Sequence, residues 1–169
     1  MNLILCIVIV IISSAMGRLL SGRTSDRLVF IRDYQLAFTH LSDKMVSLNL
    51  ELYKALLSCR SGRISPVFDG CAAALKKTPQ AFFTDIWEKS FGRLKDDFSY
   101  LTREDIQIVL EGGGAIEALC KNPSEKQAGL YLKRLSEYMT ALETEKIKKC
   151  KLYNTAGVLA GLMIALLVI

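Results

Sequence analysis

The amino-acid sequence predicts an all-α protein, in which a bundle of about six helices stands between an apolar helix at each end. Three observations predict this architecture. Apolar residues in the middle of the chain recur at steps of three and four, the period of an amphipathic helix. No segment alternates apolar and polar residues as a half-buried strand does. Finally, the 22 Lys/Arg and 17 Asp/Glu all lie between Arg18 and Lys151, so both ends are uncharged.

The two uncharged ends are predicted transmembrane segments, residues 1–20 and 152–169, with a helical domain at residues 21–151 between them. A hydrocarbon layer about 30 Å thick takes roughly 20 mainly apolar helical residues, so either end is barely long enough. A cleaved signal peptide is the alternative for the first segment, but no positive side chain precedes its apolar core. A buried core helix is the alternative for the last one, although such helices usually keep a polar stripe.

Basic residues flank both predicted spans on the side of the central domain. They are Arg18, Arg23 and Arg27 after the first span, and Lys146, Lys148, Lys149 and Lys151 before the second. Because positive charge is retained on the cytoplasmic side, the central domain is predicted to be cytoplasmic and both termini extracytoplasmic. For these basic residues, a generic solvated surface is the alternative. We attribute the formal net charge of +5 to contact of the basic flanks with anionic membrane lipid, and we expect no nucleic-acid partner.

The central domain begins with a long amphipathic helix from Thr24. Its apolar positions follow steps of three and four: Ile31, Tyr34, Phe38, Leu41, Met45 and Leu48. Such a seam packs against other helices, either in the domain's own core, which we favour, or in a coiled coil with a partner. Asn49 is then predicted to cap a short helix that carries Leu52, Leu56 and Cys59 on one side.

Two Ser/Thr-Pro pairs predict the next helix starts, because a hydroxyl side chain caps a helix and proline suits its first turn. Ser65-Pro66 begins a helix whose inward residues are Val67, Cys71, Ala74 and Leu75. Thr78-Pro79 begins the most aromatic helix, with the apolar side chains Phe82, Phe83, Ile86, Trp87, Phe91, Leu94 and Phe98. An aromatic stripe at this spacing predicts a buried core, with a ligand cleft as the alternative.

A glycine run follows the next helix start. Thr102-Arg103-Glu104-Asp105 resembles a capping box, and Ile106, Val109 and Leu110 continue the helical face. The run Gly112–Gly114 lacks the preceding strand and the following Gly-Lys-Ser/Thr of a phosphate-binding loop. It therefore predicts either a hinge or a close approach of two helices that leaves no room for a side chain.

The last helix starts after Asn122-Pro123-Ser124 and meets no helix breaker before Ile169. It is predicted to continue from the bundle into the membrane, over ~70 Å at about 1.5 Å per residue. Its inward residues in the bundle are Ala128, Tyr131, Leu132, Leu135, Tyr138, Met139 and Leu142. The segment Glu143–Lys149 is polar nearly all round, which predicts a solvated neck.

Small residues form a stripe in the C-terminal segment, where Gly157, Gly161 and Ala165 lie four apart. Small side chains at this spacing let two membrane helices approach closely, so we predict a helix–helix contact at these positions. Chance occurrence in a lipid-facing span rich in alanine and glycine is the alternative.

No constellation of residues predicts catalysis. The carboxylates are scattered over polar faces, no serine lies in a Gly-x-Ser-x-Gly elbow, and His40 is the sole histidine. Five widely spaced cysteines without a Cys-x-x-Cys pair predict reduced structural thiols rather than a zinc site. We therefore expect no catalytic residue, no bound metal and no cofactor. A membrane-anchored enzyme that depends on one cysteine is the alternative from another functional class.

Several short segments of the chain are distinctive. They are the arginines after the first span, the segments Leu50–Leu56 and Ile86–Ser90 with its lone tryptophan, Leu101-Thr102 leading to Gly112–Gly114, and the closing Ala156–Leu162. Through these segments the sequence resembles the stage III sporulation protein AB family over essentially the whole chain. The closing segment is the most specific of them. The chain departs from the family at Cys120-Lys-Asn-Pro123, where relatives tend to have Gly-x-Ser/Thr-Asp.

The resemblance implies a non-enzymatic component of the channel complex that joins the mother cell to the forespore, located in the mother-cell membrane around the forespore. It also implies a soluble domain similar to the helical cytoplasmic domain of type II secretion and type IV pilus platform proteins. The implied partners are the ATPase called stage III sporulation protein AA and other sporulation channel proteins; self-association is left open. A platform protein of another secretion or pilus-like machine is the alternative.

Overall fold

A computed structural model describes the backbone of residues 2–59 and 62–168 and the side chains of most residues from Gly22 to Lys148, with a few beyond. Within this part of the chain there are six α-helices, one 3₁₀ turn and no strand. The helices are α1 Asn2–Val46, α2 Leu52–Ser58, α3 Ser65–Lys77, α4 Phe83–Arg93, α5 Arg103–Lys121 and α6 Glu125–Val168, with the 3₁₀ turn at Lys95–Phe98. The prediction of an all-α protein is confirmed. Six is the total number of helices in the described residues, because the two uncharged ends belong to α1 and α6 and are not separate helices.

The chain divides into two compact units. One comprises Met1–Leu28 together with Thr140–Ile169, and the other, which we call the bundle unit, comprises Val29–Met139. Helices α1 and α6 each contribute residues to both units. The predicted uninterrupted last helix is confirmed, because α6 continues from Glu125 to Val168 without a break.

An aromatic core fills the bundle unit, and its centre is Trp87 of α4, which has no exposed surface. The indole lies 5.7 Å from the Phe68 ring of α3, 6.1 Å from the Phe83 ring and 6.2 Å from the Tyr34 ring of α1, measured between centroids. Tilted rings at these separations stabilise the fold in addition to the stabilisation that comes from burying their apolar surface. The predicted core role of the α1 seam and of the aromatic stripe is therefore confirmed, with two exceptions.

The two exceptions are Leu48 and Phe82, whose side chains are 64% and 68% exposed. Leu48 lies past the end of α1, in the turn that Asn49 completes with a φ of 49°. Asparagine tolerates this left-handed conformation, and the Leu50 amide donates back to the Lys44 carbonyl at 3.1 Å. Asn49 thus ends α1, and the prediction that it caps α2 was wrong, since α2 begins only at Leu52.

Phe82 is exposed because α4 begins later than its sequence suggests. Thr78 is the C-cap of α3, and its hydroxyl donates to the Ala74 carbonyl at 3.0 Å, so it is not available to cap a following helix. Pro79 then lies in a turn, and Phe82 is itself the N-cap position of α4. The predicted helix start at Thr78-Pro79 was wrong, because a threonine hydroxyl can bond a carbonyl at the end of the preceding helix as readily as an amide at the start of the following one.

The other predicted helix starts agree more closely with the structure. Pro66 lies in the first turn of α3, as predicted, although Ser65 is the first helical residue rather than the cap. Thr102 forms the predicted capping box at α5: its hydroxyl accepts from the Asp105 amide at 3.3 Å, and the Asp105 carboxylate accepts from the Thr102 amide at 2.7 Å. Two backbone amides that have no acceptor within the helix, those of Thr102 and Asp105, are thereby hydrogen-bonded.

The N-terminus of α4 is capped from a distance by Glu117 of α5. One carboxylate oxygen of Glu117 accepts from the Thr84 hydroxyl at 2.7 Å and from the Thr84 amide at 3.3 Å, and the other accepts from Lys121 at 2.9 Å. These bonds favour the ionised form, and the Thr84 hydroxyl contributes most to lowering the pKa of Glu117 to about 2 from its ordinary 4.5.

The Glu117 cap predicts a pH-dependent contribution to stability. Since the folded pKa lies below the unfolded one, the contribution is complete above pH ~4.5 and is lost as pH falls towards 2. We expect Glu117→Gln to lower the thermal midpoint at pH 7, and we expect the difference from wild type to shrink between pH 5 and pH 3. Glu88→Gln, which removes an exposed carboxylate from the middle of α4, is the matched control. A midpoint difference that stays constant over this range would contradict the cap.

In the unit formed by the two chain ends, α1 and α6 contact each other through polar side chains. Lys146 donates to the Ser25 hydroxyl at 3.0 Å, and Arg27 lies 3.9 Å from Glu145. Glu145 and Lys146 belong to the segment Glu143–Lys149, so the neck predicted to be solvated is in contact with α1 on this side. The reason is that α1 presents polar partners to it, which a sequence read one helix at a time does not reveal.

The membrane-spanning prediction concerns residues 1–20 and 152–169, most of whose side chains lie outside the described residues. Among the residues that are described, no helix is long and apolar enough to cross a membrane. Membrane insertion of the two ends therefore stays a prediction.

Candidate functional site

The basic residues predicted to flank the membrane divide into two groups. Lys148 and Lys151 are exposed, whereas Arg27 is only 7% exposed and Lys146 is half-buried in its contact with Ser25. The side chains of Arg18, Arg23 and Lys149 lie outside the described residues, as do those at the predicted helix-contact positions Gly157, Gly161 and Ala165. Of the predicted flanking residues that the structure describes, Lys148 and Lys151 are therefore on the surface, whereas Arg27 and Lys146 form contacts with other residues of the chain.

The glycine run lies inside α5 and is not a hinge, since the helix continues from Arg103 to Lys121. A methyl group on Gly112 would overlap the Tyr34 hydroxyl, and one on Gly113 would lie 2.7 Å from Cδ1 of Trp87. Gly114 has nothing within 4 Å. Of the two predicted alternatives, close approach is therefore correct for Gly112 and Gly113.

The space left by these glycines is occupied by hydrogen-bonding side chains from three other helices. Tyr131 of α6 donates to the Ile108 carbonyl at 2.6 Å, and Trp87 donates to the Val109 carbonyl at 2.9 Å. Because the Tyr131 proton is committed, the 2.8 Å bond between the two phenols is donated by Tyr34 of α1. Burial raises the pKa of both tyrosines, so both stay protonated and able to donate.

On another face, α5 carries a ridge formed by the exposed Gln107 and the half-buried Glu111, with a groove on each side. The groove towards α6 has a volume of about 330 Å³ and is lined by Glu104, Ile108, Arg134, Glu137 and Tyr138. The groove towards α4 has a volume of about 470 Å³ and is lined by Thr84, Glu88, Arg103, Ile106 and Leu110. Both grooves share Gln107 and Glu111 of the ridge. We call the two grooves and this ridge the α5 double groove.

The α5 double groove is acidic. Its walls carry four carboxylates, Glu88, Glu104, Glu111 and Glu137, and two guanidinium groups, Arg103 and Arg134. Glu111 pairs with Arg134 at 2.9 Å. The other three glutamates form no ion pair with any described residue. A negative surface of this kind is notable in a chain whose formal net charge is +5.

The floor of the double groove is partly apolar and is held in place by a hydrogen bond to a buried carboxylate. Ile106 and Leu110 are half-buried and face the larger groove. In the smaller groove, the Tyr138 hydroxyl donates at 2.8 Å to the carboxylate of Asp105, which has no exposed surface. Because Asp105 also belongs to the capping box of α5, the position of Tyr138 is tied to the start of that helix. The arrangement suits recognition of a partner surface.

The thiols do not form a reactive centre in the described part of the chain. Burial raises the pKa of Cys59 and Cys120, and raises that of Cys71 to about 11 despite a hydrogen bond with Ser90. A raised pKa keeps each thiol protonated at neutral pH, and the thiolate is the nucleophile. No group of His, Cys, Asp and Glu among the described residues could hold a metal ion.

The sequence interpretation missed the double groove, because the carboxylates were taken as scattered over polar faces. A signal was present in α5. Glu104, Gln107 and Glu111 follow one another at steps of three and four, which places them on one face of a helix. The contributions of Glu88 and Glu137 depend on the neighbours of α5, which its own sequence does not specify.

The family model described as stage III sporulation protein AB matches residues 2–169. No curated protein and no solved structure matches the chain.

Proposed function

Because the chain belongs to the stage III sporulation protein AB family and so has a role in sporulation, we propose that it is a non-enzymatic membrane platform of the channel complex between mother cell and forespore. In this role it couples a cytoplasmic ATPase, the one called stage III sporulation protein AA, to the membrane channel. The bundle unit receives the partner, and the apolar ends hold it at the membrane.

The observation that carries the coupling role is the continuity of α6. The same helix supplies Arg134 and Glu137 to the α5 double groove and then continues to Val168 through the uncharged C-terminal segment. A continuous helix transmits a displacement along its axis, whereas a flexible linker absorbs it.

The membrane part of the proposal rests on charge. Residues 1–17 and 152–169 have no charged side chain, and basic residues stand on the inner side of each segment. We therefore propose a protein of the mother-cell membrane around the forespore, with the bundle unit in the cytoplasm and both termini extracytoplasmic. The exposed Lys148 and Lys151 are positioned in the sequence to meet anionic lipid.

Replacing the neck Glu143–Lys149 tests the coupling role. We expect a Gly/Ser segment of equal length to abolish or severely reduce spore formation, because it interrupts α6 between the bundle unit and the C-terminal segment. The measurements are spore yield, carbonate-resistant membrane association and co-purification of the ATPase from sporulating cells.

The matched control is an Ala-rich helical segment of the same length, which keeps the helix but removes the neck's own side chains. We expect this variant to retain most of the spore yield, with both variants still in the membrane fraction. Normal sporulation and unchanged ATPase co-purification by the Gly/Ser variant would refute the rigid coupling. Absence of the wild-type chain from the membrane fraction would refute the platform itself.

A further inference from the structure

We infer that the α5 double groove binds an amphipathic helix of a partner protein, a helix with apolar residues on one face and Lys or Arg residues along both edges. The inference rests on the proposed function, in which the bundle unit has a partner, and it specifies the surface and the chemistry of that contact. It does not depend on which protein of the complex supplies the helix.

The first reason is the shape of the surface. The larger groove lies between α4 and α5, has a volume of about 470 Å³, and exposes Ile106 and Leu110 one turn apart along its floor. Side chains four residues apart on one helix are matched by residues at the same spacing on a second helix packed alongside. Gly114 adds to the fit, because nothing lies within 4 Å of its missing side chain and a partner backbone can approach there.

The second reason is the distribution of charge. Glu88 stands on the outer wall of the larger groove, and Glu104 and Glu137 stand on the walls of the smaller one, so carboxylates border the ridge on both sides. None of the three forms an ion pair with a described residue, so each is available to a cation from outside. Basic side chains at both edges of a partner helix would meet these glutamates and fix its register.

The third reason is that the surface is preorganised. The capping box at Thr102 and the Tyr138–Asp105 bond hold the smaller groove, and the glycine contacts with Tyr34 and Trp87 hold the ridge from below. A binding surface that is already rigid loses little conformational entropy when its partner arrives.

A second copy of this chain is a poorer occupant. A helix that anchors in a groove presents large apolar side chains three or four residues apart. In the described part of the bundle unit, the exposed large apolar side chains are Val29, Leu36, Leu48, Phe82 and Leu130, and no two of them lie three or four residues apart. Val29 and Leu36 share one face of α1, but at seven residues apart they do not match the four-residue spacing of Ile106 and Leu110. The groove therefore calls for a helix that the bundle unit does not itself present.

Site-specific photocross-linking in sporulating cells tests this inference with the full-length chain. The photoreactive amino acid replaces Gln107, which is exposed, uncharged and common to both grooves. Gln80, exposed in the turn before α4, is the control position. We expect a cross-link from position 107 whose partner peptide, identified by mass spectrometry, reads as an amphipathic helix with Lys or Arg at its edges, and we expect none to that peptide from position 80.

Charge reversal supplies the second arm. The double variant Glu104→Lys/Glu137→Lys is expected to lower the cross-link yield from position 107 at least roughly tenfold, because like charges then face one another. Asp96→Lys/Asp97→Lys makes the same change in net charge at exposed positions of the 3₁₀ turn and is expected to leave the yield unchanged. Changing the partner's cross-linked Lys or Arg residues to Glu is expected to restore the yield with the double variant.

Three results would overturn the inference: a cross-linked peptide that is acidic or not amphipathic, a peptide from a second copy of this chain, or equal yields from both double variants. If the Gly/Ser neck variant loses spore formation as expected but the partner cross-links only from position 80, the platform role stands and the double groove is not its docking surface. If the neck variants sporulate normally, the proposed function fails whatever position 107 captures.

Discussion

Gly113→Ala is expected to destabilise the bundle unit by about 3 kcal/mol and to lower its thermal midpoint by roughly 10 °C. The added methyl group would lie 2.7 Å from Cδ1, 2.9 Å from Cγ and 3.1 Å from Cβ of Trp87. These atoms are close to the indole's attachment to the backbone, so rotating the ring cannot remove all three contacts. The indole is also fully buried, and displacing it would disturb every ring around it.

Gly112→Ala is expected to act in the same direction, because its methyl group would overlap the Tyr34 hydroxyl and lie 2.9 Å from that of Tyr131. The substitution would separate the two phenols and weaken the bonds that tie α1 and α6 to α5. Breaking one such buried bond costs about 1 kcal/mol in addition to the steric strain.

Gly114→Ala is the matched control at the next position of the same helix. With nothing within 4 Å, the methyl group adds helix propensity without a clash, so the variant should gain up to about 1 kcal/mol. Thermal unfolding of the purified chain, followed by the fluorescence of its single tryptophan, measures all three variants. The close packing of α5 is disproved if Gly113→Ala is as stable as Gly114→Ala.

Trp87→Ala is expected to cost about 3–5 kcal/mol, enough to leave a marginally stable domain largely unfolded. The substitution removes a fully buried indole that contacts rings from α1, α3 and α4, and it removes the 2.9 Å bond to the Val109 carbonyl. Circular dichroism at 222 nm during thermal unfolding gives the midpoint without relying on tryptophan fluorescence.

Phe82→Ala is the control for Trp87→Ala, because the sequence places both aromatics on the same helix while the structure exposes Phe82 by 68%. We expect Phe82→Ala to change stability by less than about 0.5 kcal/mol. Comparable losses from the two variants would mean that Phe82 is buried and that α4 starts earlier than Phe83.

Helix content and core composition were largely predictable. The steps of three and four in α1, α4 and α6 reflect a periodicity that each helix needs in order to bury one face, whichever neighbour it packs against. The Thr102 capping box was predictable for a related reason, since all its atoms lie within a single helical turn. The caps that failed, at Asn49 and Thr78, are residues able to serve either of two adjacent helices.

The resemblance to the family was also recognisable from short segments spread along the chain, and the match over residues 2–169 agrees with it. The candidate site was not predictable in the same way. The acidic ridge of α5 follows from its own spacing, but the grooves exist only because α4 and α6 lie on either side of it, and that adjacency depends on packing.

Residues 112–114 illustrate the difference between what the sequence and what the tertiary structure determines. The sequence by itself predicted either a hinge or a close approach of two helices at residues 112–114, and it determined that charge is absent from both ends of the chain. Only the tertiary structure decided that Gly112 and Gly113 are close-packed while Gly114 is open, that Glu117 caps a helix 33 residues earlier, and that Glu145 and Lys146 contact α1. The physical reason is range: periodicity, charge and capping act within a few residues, whereas contacts and shared grooves join residues far apart in the chain.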